Sequence, residues 1–298
     1  MENFTQAFID TTEARIFTRS AGSGPPLLLL HGFPQTHRMW RQVAPALSRD
    51  FHVVCADLRG YGQSSCPPSD AEHTPYSKRA MALDMVSVMQ SLGHRSFAIA
   101  GHDRGARVAY RLALDHPERV SRLAVLDIVP TESAWARANA DFALAFWPWV
   151  LLAQDAPLPE TLITSSAAAI VDHASSAWGT RPESFTAEDR AAYAAMLRDR
   201  QHAHAICEEY RAAATLDRQL DLADRAEGRK ISCPLLSVWS RGGVLDSWYA
   251  NEGGPLALWR EIADDVQGSS IEGGHFFPEQ NPQETVERLA GFFSRQRG

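Results

Sequence analysis

The stretch Gly101-His102-Asp103-Arg104-Gly105 decides the fold of this chain. It stands between an apolar run at 97–100, typical of a buried strand, and a helical pattern at 104–114. A sharp turn from strand to helix needs small residues on both sides of its central residue, and Gly101 and Gly105 supply them. The central residue is Asp103, whose carboxylate is an anion at neutral pH. The alternative is an ordinary turn with an exposed Asp.

The segments around this turn alternate between strand patterns and helix patterns. Strands are predicted at 25–30, 51–56, 97–100, 122–127, 233–239 and 266–271, and helices at 39–47, 76–92, 104–114, 256–262 and 282–293. This order predicts an α/β fold with a mostly parallel, doubly wound sheet. The stretch between 131 and 229 is helical throughout, with no clear buried strand. We therefore predict a core domain of residues 1–130 and 230–298, with a helical cap domain of residues 131–229 inserted after the sixth strand.

Two further segments fit a catalytic role for Asp103. His31-Gly32-Phe33-Pro34 follows an apolar strand, where a second backbone donor for an oxyanion is expected, and Gly273-Gly274-His275 follows the last predicted strand. The chain order of nucleophile, acid and histidine is that of the α/β-hydrolase fold, which we therefore predict. An Asp nucleophile can displace a leaving group from a saturated carbon and form an ester. Hydrolysis of that ester requires a general base, for which His275 is the candidate.

The acid that orients this histidine is less sharply defined by the sequence. Asp127 ends the sixth strand and Asp246 follows the seventh, and either place can orient the histidine. We favour Asp127. His102 stands beside the nucleophile and is included among the candidate substrate-site residues, although a packing or supporting role is favoured for it.

Two arginines follow the nucleophile. Arg104 and Arg107 lie three residues apart in the first turn of the predicted helix, so they share one face. Cations at a helix N-terminus oppose the helix dipole by about 0.3–1 kcal/mol each, and two of them beside a catalytic residue indicate a function. Forked guanidinium groups suit a carboxylate, so we predict a small anionic substrate. Ion pairing with nearby acidic residues is the alternative.

Composition restricts the remaining possibilities. The chain has 298 residues, a formal net charge of −7, 45% hydrophobic and 22% charged residues, which is typical of a globular protein. A mildly acidic chain does not have the excess of basic residues that is typical of proteins binding nucleic acid or an anionic membrane surface. Cys55, Cys66, Cys207 and Cys233 show no metal-ligand spacing. No secretory signal is recognised, and the longest apolar run, 142–153, is too short to span a bilayer. We expect a cytoplasmic protein without metal or cofactor.

The chain resembles the fluoroacetate (haloacetate) dehalogenase family over nearly its whole length. The matching stretches are His31-Gly32-Phe33-Pro34, Ala56-Asp57-Leu58-Arg59-Gly60-Tyr61-Gly62, Gly101-His102-Asp103-Arg104-Gly105-Ala106-Arg107, Leu126-Asp127-Ile128-Val129-Pro130-Thr131, Tyr210-Arg211-Ala212-Ala213 and Gly273-Gly274-His275-Phe276-Phe277. The resemblance implies a homodimer that hydrolyses small 2-haloacids. It assigns Asp103 as nucleophile, His275 as base, Asp127 as orienting acid, and Arg104 with Arg107 as ligands of the substrate carboxylate.

The resemblance also implies a halide pocket in the cap, and one position of this chain departs from it. The family uses a His-Trp pair and a Tyr; here Trp149 and Tyr210 match, but the histidine position is Pro148. Trp178 is a further candidate for the pocket. Because proline donates no hydrogen bond, we expect chloroacetate or bromoacetate to be preferred over fluoroacetate.

Other functions stay open at this point. An epoxide hydrolase shares the Asp nucleophile and needs two cap tyrosines, for which Tyr193 and Tyr210 are available. A haloalkane dehalogenase usually has Trp after the nucleophile, where this chain has Arg104. A binding protein on a hydrolase fold is a third possibility, against which the apparently complete catalytic set argues.

Overall fold

The centre of the molecule is an eight-stranded sheet. The computed structural model describes residue 1 and residues 3–295. The sheet order is β1-β2-β4-β3-β5-β6-β7-β8, formed by β1 (Thr5–Asp10), β2 (Arg15–Ala21), β3 (Pro26–Leu30), β4 (His52–Ala56), β5 (Phe97–His102), β6 (Val120–Leu126), β7 (Leu235–Ser240) and β8 (Val266–Ile271). Strand β2 pairs antiparallel with β1 and β4, and the pairs from β4 to β8 are parallel. The predicted α/β fold with a mostly parallel sheet is confirmed.

Helices cover the sheet and fill the segment between β6 and β7. Outside that segment lie α1 (Ala44–Leu47), α2 (Lys78–Ser91), α3 (Arg104–Asp115), α11 (Val244–Trp248), α12 (Gly254–Arg260), α13 (Phe277–Gln280) and α14 (Pro282–Phe293). Between β6 and β7 lie α4 (Thr131–Ala136), α5 (Ala140–Ala145), α6 (Trp147–Leu151), α7 (Leu158–Ala174), α8 (Ala187–Arg198), α9 (Arg200–Ala214) and α10 (Leu216–Ala226). Short 3-10 helices occupy His37–Arg41, Thr74–Tyr76, Pro182–Ser184 and Ala250–Glu252. We call the helical segment from α4 to α10 the cap; its boundaries as a domain stay a prediction.

Both faces of the sheet are buried. Alternate residues of β3 enter two different apolar clusters: Leu28 and Leu30 belong to one, and Leu27 and Leu29 to the other. Side chains of a strand alternate between its two faces, so each cluster covers one face. This explains why the central strands are continuous apolar runs rather than alternating patterns.

The parallel strands bring their carboxyl ends to one edge of the sheet. The loops after β3, β5, β6 and β8 carry Phe33, Asp103, Asp127 and His275 respectively. An open α/β sheet binds its ligands at this edge. In the part of the chain that the structure describes, no helix is both long and apolar enough to cross a membrane.

Candidate active site

Asp103 sits on a strained turn between β5 and α3. Its backbone has φ 45° and ψ −115°, a region that side chains other than glycine rarely adopt. A Cβ on Gly101 would lie 2.5 Å from the Ala106 nitrogen, and one on Gly105 would lie 2.7 Å from the Leu30 Cβ. Both glycines are therefore required by the tight packing of the turn, as the sequence predicted.

The loop after β3 lies against the Asp103 carboxylate. The Phe33 amide donates to Asp103 Oδ2 at 3.0 Å. A Cβ on Gly32 would lie 2.6 Å from the same oxygen, so glycine permits this close approach. The Phe33 N–H is thus placed to stabilise negative charge on the side chain of Asp103.

His275 is held by Asp127. Its Nδ1 donates to Asp127 Oδ2 at 2.6 Å, and the Ser240 amide donates to Asp127 Oδ1 at 2.8 Å. Asp246 instead accepts from Trp239 Nε1 at 2.7 Å and from the Gly242 amide. Of the two acids that the sequence left open, the structure brings Asp127 to the histidine. Because Nδ1 is bound to Asp127, Nε2 of His275 is the nitrogen left for chemistry.

Charges in the site favour an ionised nucleophile. Burial alone would raise the pKa of Asp103, but the positive charges of His275, Arg104 and their neighbours outweigh it and lower that pKa. Burial alone would lower the pKa of His275, but its hydrogen bond to Asp127 outweighs burial and raises it. The site therefore holds a carboxylate nucleophile beside a basic imidazole.

His102 lies behind the histidine rather than in the substrate cavity, which corrects its inclusion among the substrate-site residues. It is fully buried, and its Nε2 donates to the His275 carbonyl at 2.8 Å. The two rings lie 4.6 Å apart, and burial followed by the charge of His275 lowers the pKa of His102 to about 4. His102 supports His275 as a neutral ring, in agreement with the packing role favoured from the sequence.

The two arginines have different surroundings. Arg104 forms an ion pair with Glu209: Nε lies 2.8 Å from Oε1, and Nη2 lies 2.5 Å from the same oxygen. Arg107 instead donates Nη1 to the Val129 carbonyl at 3.2 Å and to Thr131 Oγ1 at 3.0 Å. Arg104 Nη1 and Arg107 Nε are buried and make no hydrogen bond. Among the described residues, no carboxylate lies within ion-pairing distance of Arg107.

A small cavity of about 20 Å³ lies over the nucleophile. Its lining consists of Phe33, Asp103, Phe146, Pro148, Trp149, Trp178, Tyr210 and His275. A second cavity of about 20 Å³ shares Asp103, Trp149 and His275 and is also lined by Arg107. A cleft of about 680 Å³ is lined by His275 and Asp127 and shares Phe146 and Trp178 with the first cavity. Every residue predicted for the halide pocket therefore lines the cavity, and Phe146 is a lining residue that the sequence analysis missed.

The cap contributes fewer hydrogen-bond donors than its aromatic residues suggest. Trp178 Nε1 is already bound to the Ala145 carbonyl at 2.6 Å. Tyr193 is fully buried against Phe185 and is absent from the cavity lining. The second tyrosine proposed for an epoxide hydrolase is therefore not at the site. Trp149 and Tyr210 also line the cavity, and neither the Trp149 Nε1–H nor the Tyr210 hydroxyl donates to another of the described residues.

No group of three or more His, Cys, Asp or Glu that could hold a metal ion occurs within the residues that the structure covers.

Comparison with known proteins agrees with this architecture. The sequence model of the alpha/beta hydrolase fold matches residues 25–252, and the chain belongs to this family. It is 40% identical to a fluoroacetate dehalogenase from Burkholderia sp over 294 residues, covering 98% of this chain and 95% of the relative. It is also 30% identical to a soluble epoxide hydrolase from Corynebacterium sp. (strain C12), covering 92% of each.

A solved structure gives the same result for the fold. The crystal structure of an alpha/beta hydrolase from Nostoc sp PCC 7120 superposes with a TM-score of 0.95, at 47% identity over 99% of both chains. The predicted α/β-hydrolase fold and the resemblance to the fluoroacetate dehalogenases are confirmed. The chain is a hydrolase. Its relatives include one enzyme named as a dehalogenase and another named as an epoxide hydrolase.

Proposed function

We propose that this protein is a hydrolytic dehalogenase of small 2-haloacids. The observation that carries the proposal is the combination of a buried anionic nucleophile, Asp103, with a buried cation, Arg107, that has no carboxylate partner. A buried charge without a counter-charge is costly. A substrate carboxylate would supply that counter-charge and hold the neighbouring carbon at Asp103.

The reaction has two steps. An oxygen of Asp103 attacks the carbon that bears the halogen; the new carbon–oxygen bond forms an ester, and the halide leaves with the bonding electrons. His275 then removes a proton from water, which attacks the carbonyl carbon of the ester. The Phe33 amide stabilises the resulting oxyanion. Collapse breaks the bond between the carbonyl carbon and the alkyl oxygen of the ester. The departing oxygen takes the proton from His275 to give the 2-hydroxyacid, and Asp103 is restored with one oxygen from water.

The cap sets the preference among halides. Trp149 and Tyr210 are the candidates to donate to the departing halide, whereas Pro148 offers no donor. Fluoride concentrates its developing charge and needs donors most, so we propose that chloroacetate and bromoacetate are better substrates than fluoroacetate. The relative at 40% identity is named a fluoroacetate dehalogenase, and position 148 is where we expect this chain to differ in specificity.

An epoxide hydrolase is the second candidate. It is favoured by the position of Tyr210 in the same cavity as Asp103 and by the epoxide hydrolase relative at 30% identity. It is disfavoured because Tyr193, the second possible acid, packs elsewhere. An enzyme for neutral epoxides also has no use for the cation at Arg107.

Two measurements test the proposal. Release of halide from fluoro-, chloro- and bromoacetate is compared with diol formation from a neutral epoxide, and faster diol formation would support the second candidate. A single turnover in oxygen-18 water, followed by peptide mass analysis, should place the label in the peptide that contains Asp103. Label found only in the product would exclude the ester intermediate.

We further propose that the protein is cytoplasmic and that it works as a homodimer, the assembly that its resemblance to the dehalogenases implies. The exposed apolar residues Leu144, Leu158 and Leu162 on the cap are candidates for the interface. Light scattering coupled to size-exclusion chromatography should give about twice the chain mass of 32.9 kDa. A mass of one chain would contradict the dimer.

A further inference from the structure

Glu209 is a buried carboxylate that the reaction described above does not use. It lies on α9, immediately before Tyr210, and is fully buried. Its oxygens accept hydrogen bonds from Arg104, from Lys78 Nζ and, at 3.2 Å, from the Tyr61 hydroxyl. A buried carboxylate with two cations and a hydroxyl around it is part of a built network rather than a surface ion pair.

The ion pair fixes Arg104 and leaves one nitrogen free. Glu209 binds the Nε and Nη2 edge of the guanidinium, and the ring of Tyr210 lies 4.0 Å from its central carbon. Nη1 is buried without a hydrogen-bond partner. The guanidinium is therefore held on one edge and one face. Arg104 itself lines neither cavity at Asp103, but the two rings packed against its guanidinium, Tyr210 and Trp149, line the cavity over the nucleophile. Nη1 is the nitrogen left for a ligand in that cavity.

Lys78 and Arg104 both bind the carboxylate of Glu209. Burial alone would raise the pKa of Glu209, but Arg104 and Lys78 outweigh it and lower that pKa, so the carboxylate stays charged. Two cations then share one anion. The other acid nearby is Asp217, whose Oδ2 lies 3.6 Å from Lys78 Nζ, and burial raises its pKa. Burial lowers the pKa of Lys78 as well, against the opposing charge of Glu209. The geometry places two basic side chains on one carboxylate, so Glu209 holds Arg104 while Lys78 shares its charge.

We propose that Glu209 is a positioning residue that gives the site its preference for carboxylates, by holding the Nε and Nη2 edge of Arg104 so that Nη1 is left to bind the carboxylate of the substrate. This inference rests on the proposed function, since it concerns how the same site recognises the acid group of a 2-haloacid. Glu209 touches no reacting atom in this scheme and acts through Arg104.

The test compares a carboxylate ligand with its neutral counterpart. Binding of glycolate and of glycolamide to the intact protein is measured by calorimetry, and kcat and KM are measured with chloroacetate. Glu209→Gln should weaken glycolate binding and raise KM by about tenfold or more, the scale expected when a hydrogen bond to a charged group is lost. Binding of glycolamide should change little. An equal loss for both ligands, or no loss for either, would overturn the inference.

A matched control lies next to Glu209 on the same helix. Glu208 is also buried, but it pairs with Arg211 at 2.7 Å and His73 at 2.7 Å, away from the catalytic cavity. Glu208→Gln should leave the ratio of glycolate to glycolamide affinity unchanged. If it lowers the ratio as much as Glu209→Gln does, the effect is a general one of cap stability and the inference fails.

A second comparison shows whether Glu209 acts through Arg104. In an Arg104→Met background, adding Glu209→Gln should change glycolate affinity by less than about twofold, because the group to be positioned is already gone. A full additional loss would assign Glu209 an independent role. If Glu209→Gln alone does not fold, Lys78→Met/Glu209→Gln removes one charge of each sign and keeps the net charge of the cluster. Absence of halide release from the unchanged protein would overturn the proposed function, whereas the binding comparison still decides the role of Glu209.

Discussion

Arg107 is a buried cation whose immediate partners are neutral. Its hydrogen bonds go to a carbonyl and a hydroxyl, and its ring contact is with Trp149, 4.4 Å from the guanidinium carbon. Burial first and then the charge of Arg104 lower the pKa of Arg107. Such a residue costs stability and is explained if it binds an anion during the reaction.

Replacement of Arg107 should therefore separate activity from stability. We expect Arg107→Met to lower kcat/KM for chloroacetate by about tenfold to a hundredfold, since a hydrogen bond to a charged group contributes about 1.5–3 kcal/mol. The free energy of unfolding in urea should be unchanged or higher, because an unpaired buried charge is removed. Arg111→Met is the matched control: it lies on the same helix, but it pairs with Asp115 and Asp224. That change should destabilise the protein, and equal stability losses in both variants would contradict the assignment of Arg107.

His275 should act only in the second step. A carboxylate nucleophile needs no base for its attack, whereas water does. We expect His275→Ala to release about one halide per site and then stop, with the ester on Asp103 detectable by intact mass. His116→Ala, at the C-terminal end of α3, serves as a control and should turn over continuously. A variant at His275 that releases no burst of halide would show that the histidine also takes part in the first step or is not the base.

At the scale of elements, the sequence predicted the buried strands better than the exposed ones. The six strands from β3 to β8 were located because they are apolar runs followed by turns. β1 and β2 were not located, because they form an edge hairpin in which β1 is exposed or half-buried along its whole length. The helix predicted at 39–47 is a 3-10 helix, His37–Arg41, followed by α1. Pro45 lies in the first turn of α1, where its missing N–H is tolerated. The same proline prevents the preceding 3-10 helix from continuing into α1 as one α-helix.

The site could be predicted from the sequence only where its residues belong to local motifs. Asp103 and its glycines form one turn, and His275 follows a recognisable strand. The partner of Arg104 could not be found in this way, because Glu209 is 105 positions away and meets it only after the cap has folded. The choice of Asp127 over Asp246 likewise depends on the distance between two loops.

Pro148 can be exchanged without breaking its helix. It lies in the first turn of α6, where a backbone N–H has no helical partner, and its carbonyl accepts from the Leu152 amide at 2.9 Å. Histidine at this position should keep α6 and add a donor to the cavity. We expect Pro148→His to lower the ratio of chloroacetate to fluoroacetate turnover by about tenfold, because one added hydrogen bond from a charged donor stabilises the departing fluoride by about that factor.

Pro148→Ala is the control for this exchange, since it removes the ring without adding a donor. Its ratio of chloride to fluoride release should stay close to that of the unchanged protein. If the unchanged protein already releases fluoride as fast as chloride, another residue supplies the donor and the argument from position 148 is wrong.

At the scale of the whole molecule, a cluster of charged and polar side chains joins the cap to two of the loops that form the site, those that carry Phe33 and His275. Arg41 Nη1 lies 2.5 Å from Glu279 Oε1 and 3.2 Å from Asp189 Oδ2. Asp189 belongs to cap helix α8, and Glu279 belongs to α13, four residues after His275. The Gln35 amide, in the loop that carries Phe33, also donates to Glu279. These contacts link cap helix α8 to the loops that carry Phe33 and His275, so the cluster couples the position of the cap to the geometry of the site.

Glu279 should make the stability of this assembly depend on pH. Burial raises the pKa of Glu279 from its ordinary value of 4.5 to about 8, although Arg41 opposes the change. Between these values the folded protein binds a proton that the unfolded chain has released. The contribution of Glu279 to stability is therefore fully present below pH 4.5 and is lost as the pH rises through about 8.

Urea unfolding at several pH values tests this dependence. As the pH is raised from about 6 to about 9, the urea concentration at the midpoint of unfolding should decrease for the unchanged protein, and it should decrease less for Glu279→Gln. The raised pKa of His275 adds a slope of the same sign, so the difference between the two proteins isolates Glu279. Glu284→Gln, on α14 and paired with Arg288 at 3.0 Å, should keep the full slope. Identical slopes in the unchanged protein and in Glu279→Gln would show that Glu279 is ionised throughout and that Arg41 compensates its burial.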